Sequence, residues 1–206
     1  MTPYPIGESC LCWPLGDDIS AATSGRVLRL YRAVKRLHNR CEMGILDVVP
    51  SCNSLAIHFD PPAADLPRIH EAVESILGAA DDGAQADGKL VTLPIRYDGP
   101  DLARVAEHAG ITPEEVIRLH AGGKYVVAMI GFLPHFPYLI GLPERLATPR
   151  LSSPRTRVPA GAVGIGGAQT GVYPVASPGG WNIIGTTDPD CLPALEPADQ
   201  VRFEKR

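Results

Sequence analysis

The sequence lacks the features that mark several functional classes. It has no basic excess: 19 Lys and Arg stand against 23 Asp and Glu, a net charge of -4 over 206 residues. That balance argues against a dedicated DNA or RNA binder, which needs a positive surface. Met1-Thr2-Pro3-Tyr4-Pro5 shows no basic region followed by an apolar one, so no secretory signal is read. No membrane segment is read either. The longest uncharged run, Val158 to Thr187, carries eight glycines and three prolines in 30 residues, whereas a spanning helix needs about 20 predominantly apolar ones. The expectation is a cytoplasmic chain with no membrane or nucleic-acid partner. Cysteine is scarce and odd in number, five in all, which points to reduced thiols rather than a disulfide framework. Cys10 and Cys12 are two apart and would share one strand face. No second Cys or His pair stands at zinc spacing, and HExxH, GxSxG and paired metal carboxylates are missing. No metal site is expected, and no internal repeat is found.

What remains is ordinary globular material, 45% hydrophobic and 20% charged. Its length falls between one domain and two. Residues 8–14 read as a strand. Residues 19–38 read as a helix, because Val27, Leu30, Tyr31, Val34 and Leu37 recur at three- and four-residue steps. Two strands follow around a turn at Pro50-Ser51-Cys52-Asn53, the second marked by alternating Leu55, Ile57 and Phe59. Asp65 caps a second helix striped by Leu66, Ile69, Val73, Ile76 and Leu77. A strand from Lys89 to about Tyr97 would complete a β-α-β-β-α-β order, the ferredoxin-like split βαβ arrangement, over residues 1–97.

Residues 98–206 have a different texture. Asp98-Gly99-Pro100 opens a short helix ending near Gly110. Thr112-Pro113-Glu114-Glu115 opens another with a capping box, Thr112 at the N-cap and Pro113 at N1. Tyr125 to Phe132 reads as a strand. From Gly131 onward Gly and Pro interrupt apolar runs of only a few residues, the pattern of a β-barrel or sandwich. The fold class is therefore α+β, an α+β domain followed by a β-rich domain, barrel or sandwich, with short helices at its start.

One run imitates a phosphate-binding loop. Gly83-Ala84-Gln85-Ala86-Asp87-Gly88-Lys89-Leu90 matches most of a P-loop, but Leu90 stands where a Ser or Thr must hold magnesium, and the run leads into a strand instead of a helix. The informative stretch is Gly131 to Thr187. Its only charges are Glu144, Arg145, Arg150, Arg155 and Arg157, which make it +3 within a chain of -4. Arginine suits bidentate capture of carboxylate or phosphate, and a Gly-rich backbone offers N–H donors for an anion nest. The alternative, arginines simply solvated on barrel loops, stays open at this level. Trp181 either stacks on a ligand or fills a core. His108 reads as a helix-surface residue, His120 as a residue favoured at a helix C-terminus, and His135 lies in a Pro-rich turn.

These residues also carry a resemblance. Gly131-Phe132-Leu133-Pro134-His135-Phe136-Pro137-Tyr138-Leu139 resembles a GFxPGFPYL motif. Val158-Pro159-Ala160-Gly161, Gly167-Ala168-Gln169-Thr170-Gly171-Val172-Tyr173-Pro174 and Ser177-Pro178-Gly179-Gly180-Trp181 follow in order. Upstream, Leu93-Pro94-Ile95-Arg96-Tyr97, Pro100-Asp101-Leu102 and Thr112-Pro113-Glu114-Glu115-Val116-Ile117 fit as well. Together they resemble the family of 5-oxoprolinase B subunits, also called allophanate hydrolase subunit 1 or KipI-like. The resemblance implies a ferredoxin-like domain and a cyclophilin-like barrel. It implies a complex with a barrel-bearing partner of the C type and a further partner of the A type. That complex converts 5-oxoproline to glutamate with ATP hydrolysis. The B and C subunits would activate the lactam by phosphorylation, and the A-type partner would complete ring opening. Within it, Arg150 and Arg155 are expected to bind an anion, Gln169 and Thr170 to orient it, and Tyr173, Ser177 and Trp181 to line the pocket. Two departures are visible: His135 stands where the motif has Gly, and Gly185-Thr186-Thr187-Asp188 replaces a Gly-Arg-Thr-Pro pattern. The alternatives are a KipI-like inhibitor of a sensor histidine kinase and a component of an allophanate or urea amide hydrolase.

Overall fold

The computed structural model describes residues 2–38, 43–79 and 88–206. They form two units, Met1–Asp87 and Gly88–Arg206.

The first unit runs β1 (Tyr4–Pro5), β2 (Cys10–Pro14), α1 (Ala21–His38), β3 (Ile45–Pro50), β4 (Ser54–Phe59) and α2 (Leu66–Gly78). Ser20 starts α1, its Oγ accepting the Thr23 backbone N–H at 3.1 Å. Asp65 caps α2 as expected, accepting the Arg68 N–H at 3.1 Å. The two helices bury Val27, Leu30, Val34, Ile69 and Val73 against Trp13, Leu55, Ile57 and Phe59 of the sheet. Side chains alternate across a strand, so one face of β2 and β4 supplies this core. Cys10, Cys12 and Cys191 are free thiols and Cys52 is buried; Cys41 lies outside the described residues.

The sheet order is β1-β2-β4-β3. The strand expected to complete it, Lys89 to Tyr97, does not join it. Its edge place beside β2 is taken by the two-residue β1, paired Tyr4 with Cys12 and Pro5 with Leu11. The expected strand is β5 (Leu90–Arg96), which belongs to the second unit. There it pairs in parallel with the last strand along six positions, from Leu90 with Gln200 to Ile95 with Lys205, and Leu93 and Ile95 enter the second core. The units thus part at Asp87 and Gly88, whereas the expected boundary lay between Tyr97 and Asp98. Period-two alternation identifies a strand but not the sheet that receives it.

The second unit continues with α3 (Leu102–Ala109), α4 (Pro113–Ala121), β6 (Tyr125–Ile130), β7 (Pro137–Ile140), β8 (Arg155–Val158), β9 (Ala162–Gly166), β10 (Gln169–Val172), β11 (Ser177–Gly179), β12 (Asn182–Thr187) and β13 (Gln200–Lys205). Seven strands close a barrel in the order β10-β7-β6-β13-β5-β12-β9, and β11 pairs with β8 as a separate ribbon. Leu93, Val127, Leu139, Val163, Ile165, Val172, Ile184, Val201 and Phe203 fill the barrel core, joined by Val105 and Val116 from α3 and α4.

Thr112 caps α4 through its Oγ1, which accepts the Glu115 N–H at 3.2 Å. The Glu115 carboxylate faces Arg118 at 3.4 Å and Arg145 at 3.8 Å. Arg145 also donates to the carbonyls of Ala109 and Gly110 at the end of α3, so one of the four arginines of the positive stretch serves helix ends. The P-loop-like run lies mostly outside the described residues; its Lys89 pairs with Asp199 at 3.5 Å. Among the described residues no helix is long and apolar enough to cross a membrane.

Candidate functional site

The loop from β6 to β7 turns back on itself within six residues. The Gly131 N–H donates to Phe136 O at 3.1 Å, and the Phe136 N–H to Leu133 O at 3.1 Å. Two of its residues adopt a left-handed backbone, Phe132 at φ 67° and His135 at φ 66°. Glycine takes that conformation at least cost, which explains the Gly of the motif at position 135. The turn delivers Phe136 into the centre of an aromatic cluster. Its ring centroid lies 5.0 Å from Tyr138, 5.1 Å from Tyr173 and 5.5 Å from both Phe132 and Trp181. Three of these contacts, to Phe132, Tyr173 and Trp181, are edge-to-face, the arrangement favoured by ring quadrupoles.

Trp181 lies against β9 and β10 because glycines leave it room. A Cβ on Gly166 would sit 2.5 Å from the indole, and one on Gly171 would sit 3.1 Å from it. A Cβ on Gly179 would collide with the Tyr173 hydroxyl. The dense glycines therefore admit two large rings, a different role from the anion nest expected of them.

Arg150 is held over Trp181 by its neighbours. Asn182 Nδ2 donates to Pro149 O at 3.0 Å, and the Leu151 N–H donates to Gly180 O at 2.7 Å. The residues on either side of Arg150 are thus tied to the residues on either side of Trp181. The guanidinium carbon lies 5.7 Å from the indole centroid, a cation–π contact. Asn182 is fixed in turn by Arg104, whose Nε donates to its Oδ1 at 3.0 Å, and by Ile165 O at 3.1 Å.

These groups line a cavity of about 240 Å³ that is open on one side; its lining is Phe132, Phe136, Tyr138, Arg150, Pro154, Tyr173, Trp181 and the Pro178–Gly180 turn. Among the described residues, Arg150 is the one charged residue that lines it. Burial raises the Tyr173 hydroxyl above the usual tyrosine range; the Trp181 backbone N–H and the charges of Arg150 and Arg155 oppose that rise. The phenol stays protonated at neutral pH and serves as a hydrogen-bonding group. Among the described residues no three His, Cys, Asp or Glu side chains gather where a metal ion could bind.

Of the seven expected site residues, the cavity brings together Arg150, Tyr173 and Trp181. Arg155 stands behind it. Its Nη2 donates to Asp101 Oδ1 at 2.6 Å and its Nη1 to Trp181 O at 3.4 Å. Asp101 Oδ2 also accepts the Ile183 N–H at 2.6 Å. Thr170 is buried inside the barrel: its hydroxyl donates to Gly164 O at 2.9 Å and meets His120 Nε2 at 3.1 Å. Gln169 is buried at the start of β10, paired with Gly166. Ser177 is buried in β11, its Oγ 3.3 Å from Pro178 O. None of these four lines the cavity. Phe136, Tyr138, Asp101 and Asn182 were absent from the expected site. The first two lie in the Gly131–Leu139 motif, whose strand-like alternation was the available signal.

His120 differs from its expectation as a residue suited to positive charge. It is fully buried, with Tyr97 Oη 2.9 Å from Nδ1 and Thr170 Oγ1 3.1 Å from Nε2. Thr170 donates onward to Gly164 O, so the hydroxyl accepts from Nε2–H and Nδ1 accepts from Tyr97. Burial holds the imidazole neutral, its pKa lowered to about 3. At the position of the missing arginine, Thr186 donates to Asp98 at 2.9 Å, and Arg96 reaches the same hydroxyl from β5 at 3.4 Å.

Residues 1–193 match the family described as carboxyltransferase domain, subdomain C and D. The chain is 38% identical to the B subunit of 5-oxoprolinase from Escherichia coli O157:H7, over 97% of this chain and 94% of that one. It superposes on the crystal structure of TTHA0988 with a TM-score of 0.80 at 35% identity, covering 96% of this chain. The chain spans 40% of that longer polypeptide. The crystal structure of the Kluyveromyces lactis urea carboxylase shares the fold at 21% identity, with a TM-score of 0.75 over 99% of this chain.

Proposed function

The chain belongs to the carboxyltransferase subdomain C and D family and, within it, to the group of 5-oxoprolinase B subunits; from that membership we propose that it is the B subunit of an ATP-dependent 5-oxoprolinase. The observation that carries this reading is the 38% identity to a B subunit of 5-oxoprolinase over nearly the full length of both chains. The urea carboxylase likeness, at 21% identity, extends to the fold. The reaction opens the lactam: the ring C–N bond breaks, water supplies the new carboxylate oxygen and the proton on nitrogen, and ATP is hydrolysed. Among the described residues, no carboxylate, thiol or imidazole lines the cavity over Trp181, which supplies a binding site. In this reading the chain binds and orients the ligand, and partners of the C and A types complete the chemistry. A nucleophile from the partner reaches a ligand held on Arg150 and the aromatic wall. A cytoplasmic location fits the free thiols.

The test is co-expression with the C-type partner, addition of the A-type partner, and measurement of ATP hydrolysis dependent on 5-oxoproline. Stimulated turnover is the expected result. A stable complex that hydrolyses no ATP in response to 5-oxoproline would overturn the assignment.

A further inference from the structure

Two anions enter the proposed reaction, the lactam carboxylate and the nucleotide triphosphate, and the positive stretch of the sequence suits either. The geometry separates them. Arg155 is already paired with Asp101 at 2.6 Å, Arg145 is engaged at the end of α3, Arg157 is exposed on β8, and none of the three lines the cavity. That leaves one guanidinium, Arg150, facing a wall of aromatic rings. A triphosphate needs several cations or magnesium to balance its charge, and no carboxylate lines this cavity to hold magnesium. The cavity is also small: about 240 Å³ lies below the roughly 300–1,000 Å³ of pockets that enclose drug-sized ligands. A ring of amino-acid size with a single carboxylate matches both its volume and its charge.

Resting on the function proposed above, we infer that this cavity is the lactam subsite: the 5-oxoproline carboxylate pairs with Arg150, the ring lies among Phe132, Tyr173 and Trp181, and the nucleotide phosphates are bound elsewhere in the complex. Arg150 is the specificity-determining residue. Its backbone is pinned on both sides, to Asn182 and to Gly180, and its guanidinium rests on the indole, so its charge is placed before the ligand arrives. A lactam without the carboxylate, such as 2-pyrrolidinone, loses the one charged contact the cavity offers.

The experiment is steady-state kinetics of the reconstituted complex with Arg150→Gln and Arg150→Lys. A charge-assisted hydrogen bond is worth roughly tenfold to a hundredfold in affinity. Arg150→Gln should therefore raise the KM for 5-oxoproline by about that factor, with the KM for ATP within about twofold and kcat retained at saturating lactam. Arg150→Lys, which keeps charge but loses the planar fork, should fall between. 2-Pyrrolidinone should inhibit wild type and Arg150→Gln equally. A raised KM for ATP, or an unchanged KM for 5-oxoproline, overturns the inference while leaving the 5-oxoprolinase reading intact. A wild-type complex with no response to 5-oxoproline overturns that reading, and the inference with it.

Discussion

Arg155 and Asp101 form a charge pair at 2.6 Å, and the same carboxylate accepts the Ile183 backbone N–H at 2.6 Å. The pair joins β8, the start of α3 and β12 behind the indole of Trp181. Asp101 is almost wholly buried and the arginine side chain is about two-thirds buried, so removing the cation leaves an uncompensated carboxylate. Arg155→Ala should destabilise the protein by about 2 kcal/mol, a value set below that of a fully buried pair because of the partial exposure. Urea unfolding of the single variants and of Arg155→Ala with Asp101→Ala measures it. The double variant should lose less than the sum of the singles; strict additivity would refute the coupling.

The glycine under the indole gives a second expectation. In Gly166→Ala the new Cβ would lie 2.5 Å from Trp181, so the ring must move or the strand must shift. Overpacking of this kind costs about 1–3 kcal/mol. Trp13 lies in the first unit, so a Trp13→Phe background isolates Trp181 fluorescence. A displaced indole should shift that emission and weaken lactam binding together.

The buried histidine makes stability depend on pH. The folded pKa of His120 is lowered to about 3, whereas an unfolded histidine titrates near 6.5. The unfolded chain therefore binds the proton first. The stabilisation is fully present above about pH 6.5 and is lost as pH falls from there toward 3, by about 1 kcal/mol per unit. Urea unfolding at pH 7 and pH 5 should show the loss, and His120→Phe should reduce the dependence. An unchanged dependence in that variant would assign the acid sensitivity to other groups.

His135 tests the left-handed turn. His135→Gly should leave stability within about 1 kcal/mol of wild type, since relief at φ 66° is offset by glycine's greater freedom when unfolded. His135→Val should be clearly worse, because a β-branched residue resists positive φ. Thermal unfolding of the three proteins ranks them, and equal midpoints for Val and Gly would contradict the strain.

The sequence carried much of this in periodic segments. α1, α2 and α4 follow from apolar spacing and from caps at Asp65 and Thr112, because those signals are local. The placement of Leu90–Arg96 was not legible: its alternation fits either sheet, and pairing with Gln200–Lys205 joins residues about 110 apart in sequence. The same limit governs the candidate site. Tyr173 and Trp181 stand in motifs with glycines that make room for them, and Arg150 is a charge in a stretch poor in charge. Arg155 carries the same local signal, yet its role is decided by Asp101, 54 residues away. Thr170 reads as a polar site residue until His120, 50 residues distant, claims it for the barrel interior.

The order of strands around the barrel sets a temporal constraint. β13, last in sequence, sits between β5 and β6. During synthesis the other six strands can associate only as an open sheet, with the unpaired edges of β5 and β6 facing a gap one strand wide. Closure waits for residues 200–205, and until then both edges can accept foreign strands. Nascent chains are most vulnerable to aggregation in that interval, and any shortening that removes Val201 and Phe203 would make the open state permanent.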